Sequence, residues 1–148
     1  MNLETLREDL KPLFEQNHVR MAYLFGSQAT GKVHVESDVD FAVLLSEELT
    51  PGNRSEMKMK LIAGLSQICR TDSVDLVSLN EASPLLAYEV LRNGVLLYCA
   101  DENTRIEFQV RTVRAYEDTA PLRKVLSEAM EERIRTGTFG KPILPRTR

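Results

Sequence analysis

Residues 21–45 read MAYLFGSQATGKVHVESDVDFAVLL. The stretch has the form of a strand, a glycine-serine turn, a polar loop and a second strand. An apolar run from Val19 to Phe25 delivers the chain to Gly26-Ser27, and another leaves from Asp38-Val39-Asp40 and ends at Leu45. Period-two spacing sets Asp38 and Asp40 on the same face of that second strand, since side chains of a strand alternate between faces. The remaining residues are read around this pair of strands.

Upstream, Leu3, Leu6, Leu10, Leu13 and Phe14 recur at three- and four-residue spacing and predict a helix over 3–16. Asn2 is a candidate cap. Pro12 is awkward there because it has no N–H to donate, and Asn17-His18 ends the run. Downstream, Pro51-Gly52 reads as a turn, and a helix is expected over about 54–69 with Met57, Leu61, Leu65 and Ile68 on one face. A third strand is expected over 73–79. A helix opened by Ser83 and Pro84 follows, with Leu85, Leu86, Tyr88, Val90 and Leu91 packing it. Asn93-Gly94 turns the chain into a fourth strand, 95–98. From Asp101 to about Arg135 the pattern is helical and charged, broken near Pro121, with Asp118 or Thr119 capping the second part. Its apolar side is Ile106, Val110, Val113, Leu122, Val125, Leu126, Met130 and Ile134. The alternation α-β-β-α-β-α-β-α predicts an α/β (α+β) domain, a small mixed sheet flanked by helices, with further helices at the C-terminal end.

The 148 residues suffice for one compact domain. With 43% hydrophobic and 28% charged residues the chain has the composition of a soluble globular protein, and its net charge of −3 argues against a basic nucleic-acid-binding face. No apolar run is long enough to span a bilayer, and MNLETLREDLKPLF lacks the apolar core of a signal peptide, so a cytoplasmic location is expected. Cys69 and Cys99 lie in apolar segments without metal-type spacing and read as buried free thiols.

The chemistry is expected at the carboxylates. Two aspartates side by side repel unless a cation lies between them. Mg²⁺ suits such a pair, because it takes carboxylate oxygens together with substrate phosphates. Asp75, in Val74-Asp75-Leu76-Val77, is a charge inside an apolar strand, costly to bury without a partner. Should the second and third strands be neighbours, it faces the same site. Three facing carboxylates suit nucleotidyl transfer with bound metal. Gly26 permits a close phosphate approach, Ser27 offers a hydroxyl and an N–H, and Lys32 adds positive charge. Residues 26–32, GSQATGK, also match the first seven positions of a P-loop. Val33 stands where that motif needs Ser or Thr, and VHVESD is not its helix.

Gly26-Ser27, ten intervening residues, then Asp38-Val39-Asp40 resembles the signature of the DNA polymerase β-like nucleotidyltransferases, in particular the minimal, or MNT, group. The resemblance covers roughly residues 1–100, and Val74-Asp75-Leu76-Val77 is similar to the segment carrying the third carboxylate. It implies Asp38, Asp40 and Asp75 as catalytic carboxylates and metal ligands, Gly26 and Ser27 at the nucleotide phosphates, Mg²⁺ as cofactor and ATP as co-substrate. Thr30 departs from the pattern, where many relatives carry arginine; Lys32 is a candidate replacement. The resemblance further implies an antitoxin paired with a small helical HEPN ribonuclease toxin, transferring AMP to a toxin tyrosine. The other readings are a catalytically silent antitoxin that acts by binding, and a nucleotidyltransferase for a small molecule. By this reading residues 1–100 form the core, 101–136 a helical segment packed on the same domain, and 137–148 a tail. The helical segment and the tail are the candidate partner surface, with Arg111, Arg114 and Tyr116 on it. His18 and His34 read as a helix-end and a loop residue.

Overall fold

The computed structural model describes residues 2–26 and 38–137. Its elements are α1 (Leu3–Gln16), β1 (Val19–Phe25), β2 (Val39–Leu45), α2 (Pro51–Cys69), β3 (Val74–Ser78), α3 (Pro84–Asn93), β4 (Val95–Cys99), α4 (Glu102–Asp118) and α5 (Ala120–Arg135). The strands form one sheet in the order β3-β2-β1-β4. β1 runs antiparallel to β2 and to β4, whereas β2 and β3 are parallel, so the sheet is mixed as expected.

The strand pattern explains why helices cover both faces. Phe41, Val43 and Leu45 of β2, with Ala22, Leu24 and Leu76, pack against Leu6, Leu10 and Phe14 of α1 and Leu61 and Leu65 of α2. The alternate residues, Ala42 and Leu44 with Met21 and Tyr23, pack against Ala87 and Val90 of α3 and Phe108 of α4. A sheet apolar on both faces has to be covered twice, and near-continuous burial along β1 and β2 reflects that. α1 and α2 approach closely at Gly64, where a Cβ would lie 2.6 Å from Leu13 Cδ1.

Several helix ends follow from the sequence. The Asn2 side chain accepts from the N–H groups of Glu4 and Thr5, and Ser83 Oγ accepts from Leu86 N–H ahead of Pro84. Pro12 lies inside α1 without ending it. The expected start of α2 is corrected: Pro51-Gly52 is its first turn, because Thr50 Oγ1 accepts from Asn53 N–H at 3.2 Å and Pro51 occupies a position whose N–H has no helical acceptor. β2 begins at Val39, one residue later than expected, and β3 is shorter than 73–79. The β3 end is tied instead by Asn80, whose side chain accepts from Leu45 N–H and donates to Leu45 C=O.

Other expectations are also corrected. Cys69 and Cys99 are free but only half-buried, one at the last turn of α2 and one at the end of an edge strand. Leu85 is 58% exposed rather than packed. α5 begins after Thr119, but Thr119 makes no side-chain cap; its hydroxyl donates to Tyr116 C=O at 2.6 Å and accepts from Arg123. Among the described residues no helix is long and apolar enough to cross a membrane.

Candidate active site

β1 and β2 meet at their open end as an antiparallel pair in which Phe25 lies opposite Asp40. β2 and β3 run parallel with Asp40 in register with Asp75. Asp40 alternates with Val39 and Phe41, and Asp75 with Val74 and Leu76, all four of which belong to the α1–α2 side. Both carboxylates therefore point to the opposite face, the one that carries α3 and α4. Asp38 precedes β2 directly, and Val39 N–H donates to Ser73 C=O at 2.8 Å, locking the two strand starts together.

Asp40 is half-buried, and Asp38 and Asp75 are exposed. The exposure of Asp75 resolves its apparent cost: β3 is an edge strand, and a charge on its open face keeps its water. Burial, then the charge of Asp75, then that of Asp38 hold the Asp40 carboxyl above its ordinary range. Both neighbouring charges thus act on the Asp40 carboxyl.

Gly26 has φ +75°, and a Cβ placed on it would lie 2.3 Å from Asp40 Oδ2. The residue thus does two things that another would not: it takes a left-handed turn at the end of β1, and it leaves room for the Asp40 carboxylate. The second role is not visible in the sequence, because it depends on the β1–β2 register. Ser27, Thr30, Lys32 and His34 lie outside the described residues.

The donor set suits a hard divalent cation. It consists of carboxylate oxygens, it carries excess negative charge, and Gly26 clears space at its most buried member. Among the described residues no three such side chains converge on one point as they stand.

Other clefts are present among the described residues. One of about 340 Å³ between Ser46–Glu48 and α4 is at the far end of β1 and β2 from Asp40. Its arginines are engaged: Arg20 with Asp101 and Thr104, and Arg111 with Glu47. Asp40 and Asp75 instead lie toward the opposite end of the sheet.

Comparison with known proteins identifies the family. Residues 8–103 match the family described as "Polymerase beta, Nucleotidyltransferase". The chain is 34% identical over 132 residues to the protein adenylyltransferase MntA of Aphanizomenon flos-aquae (strain 2012/KM1/D3), covering 85% of this chain and 88% of that one. Its fold is similar to a chain in the crystal structure of a toxin–antitoxin with AMP-PNP, with TM-score 0.67, 29% identity and coverage of 84% and 98%. It is also similar to a chain in a structure of tri-AMPylated Shewanella oneidensis HEPN toxin in complex with MNT antitoxin, with TM-score 0.63, 26% identity and coverage of 87% and 99%. With its mixed sheet, its paired strand-start carboxylates and a match over most of its length, the chain belongs to the polymerase β nucleotidyltransferase family.

Proposed function

We propose that this protein is the antitoxin of a HEPN/MNT toxin–antitoxin pair, and that it transfers AMP from ATP to a tyrosine hydroxyl of its HEPN toxin. The observation that carries the reading is the Asp40–Asp75 register on neighbouring strands, with Asp38 one turn of the pleat away and Gly26 opening space beside Asp40. The relatives named above support the acceptor, since they are a protein adenylyltransferase and an antitoxin seated with an AMPylated toxin.

In this reading Asp38 and Asp40 would hold Mg²⁺, with Asp75 as the third carboxylate and further candidate ligand of the site. When bound, the ion supplies charge neutralisation for the triphosphate and the leaving pyrophosphate. Gly26, Ser27 and Lys32 flank the phosphates. Asp75, exposed on the open face, accepts a hydrogen bond from the incoming tyrosine in this reading and orients its oxygen toward the α-phosphorus. The new bond joins the tyrosine oxygen to the α-phosphorus. The α–β phosphoanhydride bond breaks, pyrophosphate leaves, and the phenolic proton passes to Asp75 or water. The reaction belongs in the cytoplasm, where ATP is at hand.

Purified chain, the HEPN protein of its source organism, ATP and Mg²⁺ are mixed, and the toxin is weighed by mass spectrometry. Added AMP on a toxin tyrosine is the expected result. A toxin neutralised without any change of mass would instead favour inhibition by binding.

A further inference from the structure

β2 and β3 are the parallel pair of the sheet, so the chain leaves both at the same end. Ligands of open α/β sheets collect in the crevice outside the carboxyl ends of such strands. That end lies away from the carboxylates: Asp40 precedes the last residue of β2, Leu45, by about 16 Å at the rise of a strand. Asn80 ties the ends of the two strands together through Leu45. Beside it opens a cleft of about 390 Å³, between the segments that follow β2 and β3 and the helices α3 and α4. That volume is in the range of small-molecule sites, about 300–1,000 Å³.

Two arginines line the cleft, Arg54 from the start of α2 and Arg111 from α4. Neither ion pair is closed. The Arg54 side chain is only 21% exposed, its buried Nε has no hydrogen-bond partner among the described residues, and Glu81 Oε1 stays 3.6 Å away. Arg111 Nη1 is 3.7 Å from Glu47 Oε1, with both side chains largely exposed. Both separations exceed the limit of an N–H···O bond, about 3.2 Å. A mostly buried guanidinium with a donor unfilled carries a desolvation cost that a closer anion would offset. The rest of the wall is apolar, from Leu79, Ala82, Ala87 and Phe108.

Charge and shape choose the ligand. Two guanidiniums match a phosphomonoester dianion, whose oxygens accept from planar N–H forks. The apolar wall suits a carbon-rich group attached to that phosphate. Glu47, which also lines the cleft, is the obstacle. An exposed pair such as Glu47–Arg111 contributes about 0–1 kcal/mol, so an incoming dianion displaces the carboxylate easily.

We propose that the cleft at the carboxyl ends of β2 and β3 binds a phosphomonoester of nucleotide size, its phosphate on Arg54 and Arg111 and its organic part against Leu79 and Phe108. This site is separate from the aspartates and does not depend on the acceptor they serve. The test is amide NMR titration of the full chain with AMP, inorganic phosphate and adenosine, in magnesium-free buffer with a chelator. AMP is expected to saturate at millimolar concentration or below, to shift the amides of residues 79–82 and 108–115, and to bind at least about 10-fold more tightly than phosphate, because the apolar wall then contributes. Arg54→Gln and Arg111→Gln are each expected to weaken it at least about 10-fold, the loss of a charge-assisted hydrogen bond. Glu47→Gln is expected to tighten it by up to about 5-fold, since a competing carboxylate is gone. A purely structural role for the arginines would not produce that opposite sign. Thermal midpoints of the variants serve as the folding control, and the exposed Arg111 reads the site even where Arg54→Gln lowers stability. Shifts confined to residues 38–40 and 75 place AMP at the aspartates and overturn the proposal, as does the lack of any saturable binding. Equal affinity for AMP and phosphate overturns the phosphomonoester class, and equal affinity for AMP and adenosine overturns the role of the arginines.

Discussion

Replacing Gly26 by alanine is expected to damage catalysis far more than folding. The backbone there has φ +75°, where a Cβ costs about 1–2 kcal/mol. For a chain of this size that lowers the melting midpoint by a few degrees, at about 2–4 °C per kcal/mol. The new methyl group also starts 2.3 Å from Asp40 Oδ2, and the carboxylate has to back away to beyond 3.0 Å. A side-chain carboxylate can rotate at modest cost, so the protein stays folded. The site, however, is displaced on the scale of 1 Å, which costs about 100-fold in rate. The assay is the initial rate of AMP transfer to the HEPN toxin, with thermal unfolding recorded on the same samples. Gly52→Ala is the control. Gly52 sits in the first turn of α2 with nothing within 4 Å of a Cβ, so this change is expected to leave transfer intact and to stabilise by about 0.4–1 kcal/mol. Wild-type transfer by Gly26→Ala would refute the role given to the Gly26–Asp40 contact.

Three further outcomes are expected. The Asp40 carboxyl is held above its ordinary 3.8 by burial and by Asp75 and Asp38, so the folded state binds this proton more tightly than the unfolded one. The resulting penalty is absent below pH 3.8, grows as pH rises through the raised value and is then constant. Asp40→Asn should therefore gain stability relative to wild type across that window, and a flat difference between the two unfolding profiles would contradict this. Adding Mg²⁺ should raise the melting midpoint of wild type but not of Asp40→Asn, by about 2.7 kcal/mol of stability at 100 times the dissociation constant; equal shifts in both would remove Asp40 from the metal site. Pro12→Ala, at an exposed position inside α1, restores an N–H to the helix and is expected to stabilise by up to about 3 kcal/mol in urea unfolding without changing transfer.

Much of the fold could be read from residue spacing, because the signals were local. Asn2, Ser83 and Pro84 announce helix starts by their own chemistry, and β1 is one unbroken apolar run. Thr50-Pro51-Gly52 carried two opposite local meanings. The turn reading lost because a threonine before a proline is also a cap before a first helical residue. The three aspartates were recognisable as a set, but their register was not, since it depends on β2 and β3 being parallel neighbours. The Gly26–Asp40 contact is likewise long-range in origin, set by the pairing of Phe25 with Asp40. The amphipathic pattern of α5 states that a face wants cover. It does not state which surface supplies it, and among the described residues none of α5 is buried.

The most direct test of the account is the mass of the HEPN toxin after incubation with ATP, Mg²⁺ and either wild-type chain or Asp38→Asn. Added AMP on a tyrosine is expected with wild type and none with Asp38→Asn, whose fold should be nearly intact because the side chain is exposed and precedes β2. Equal modification by both proteins would contradict the assignment of the carboxylates as the reacting site.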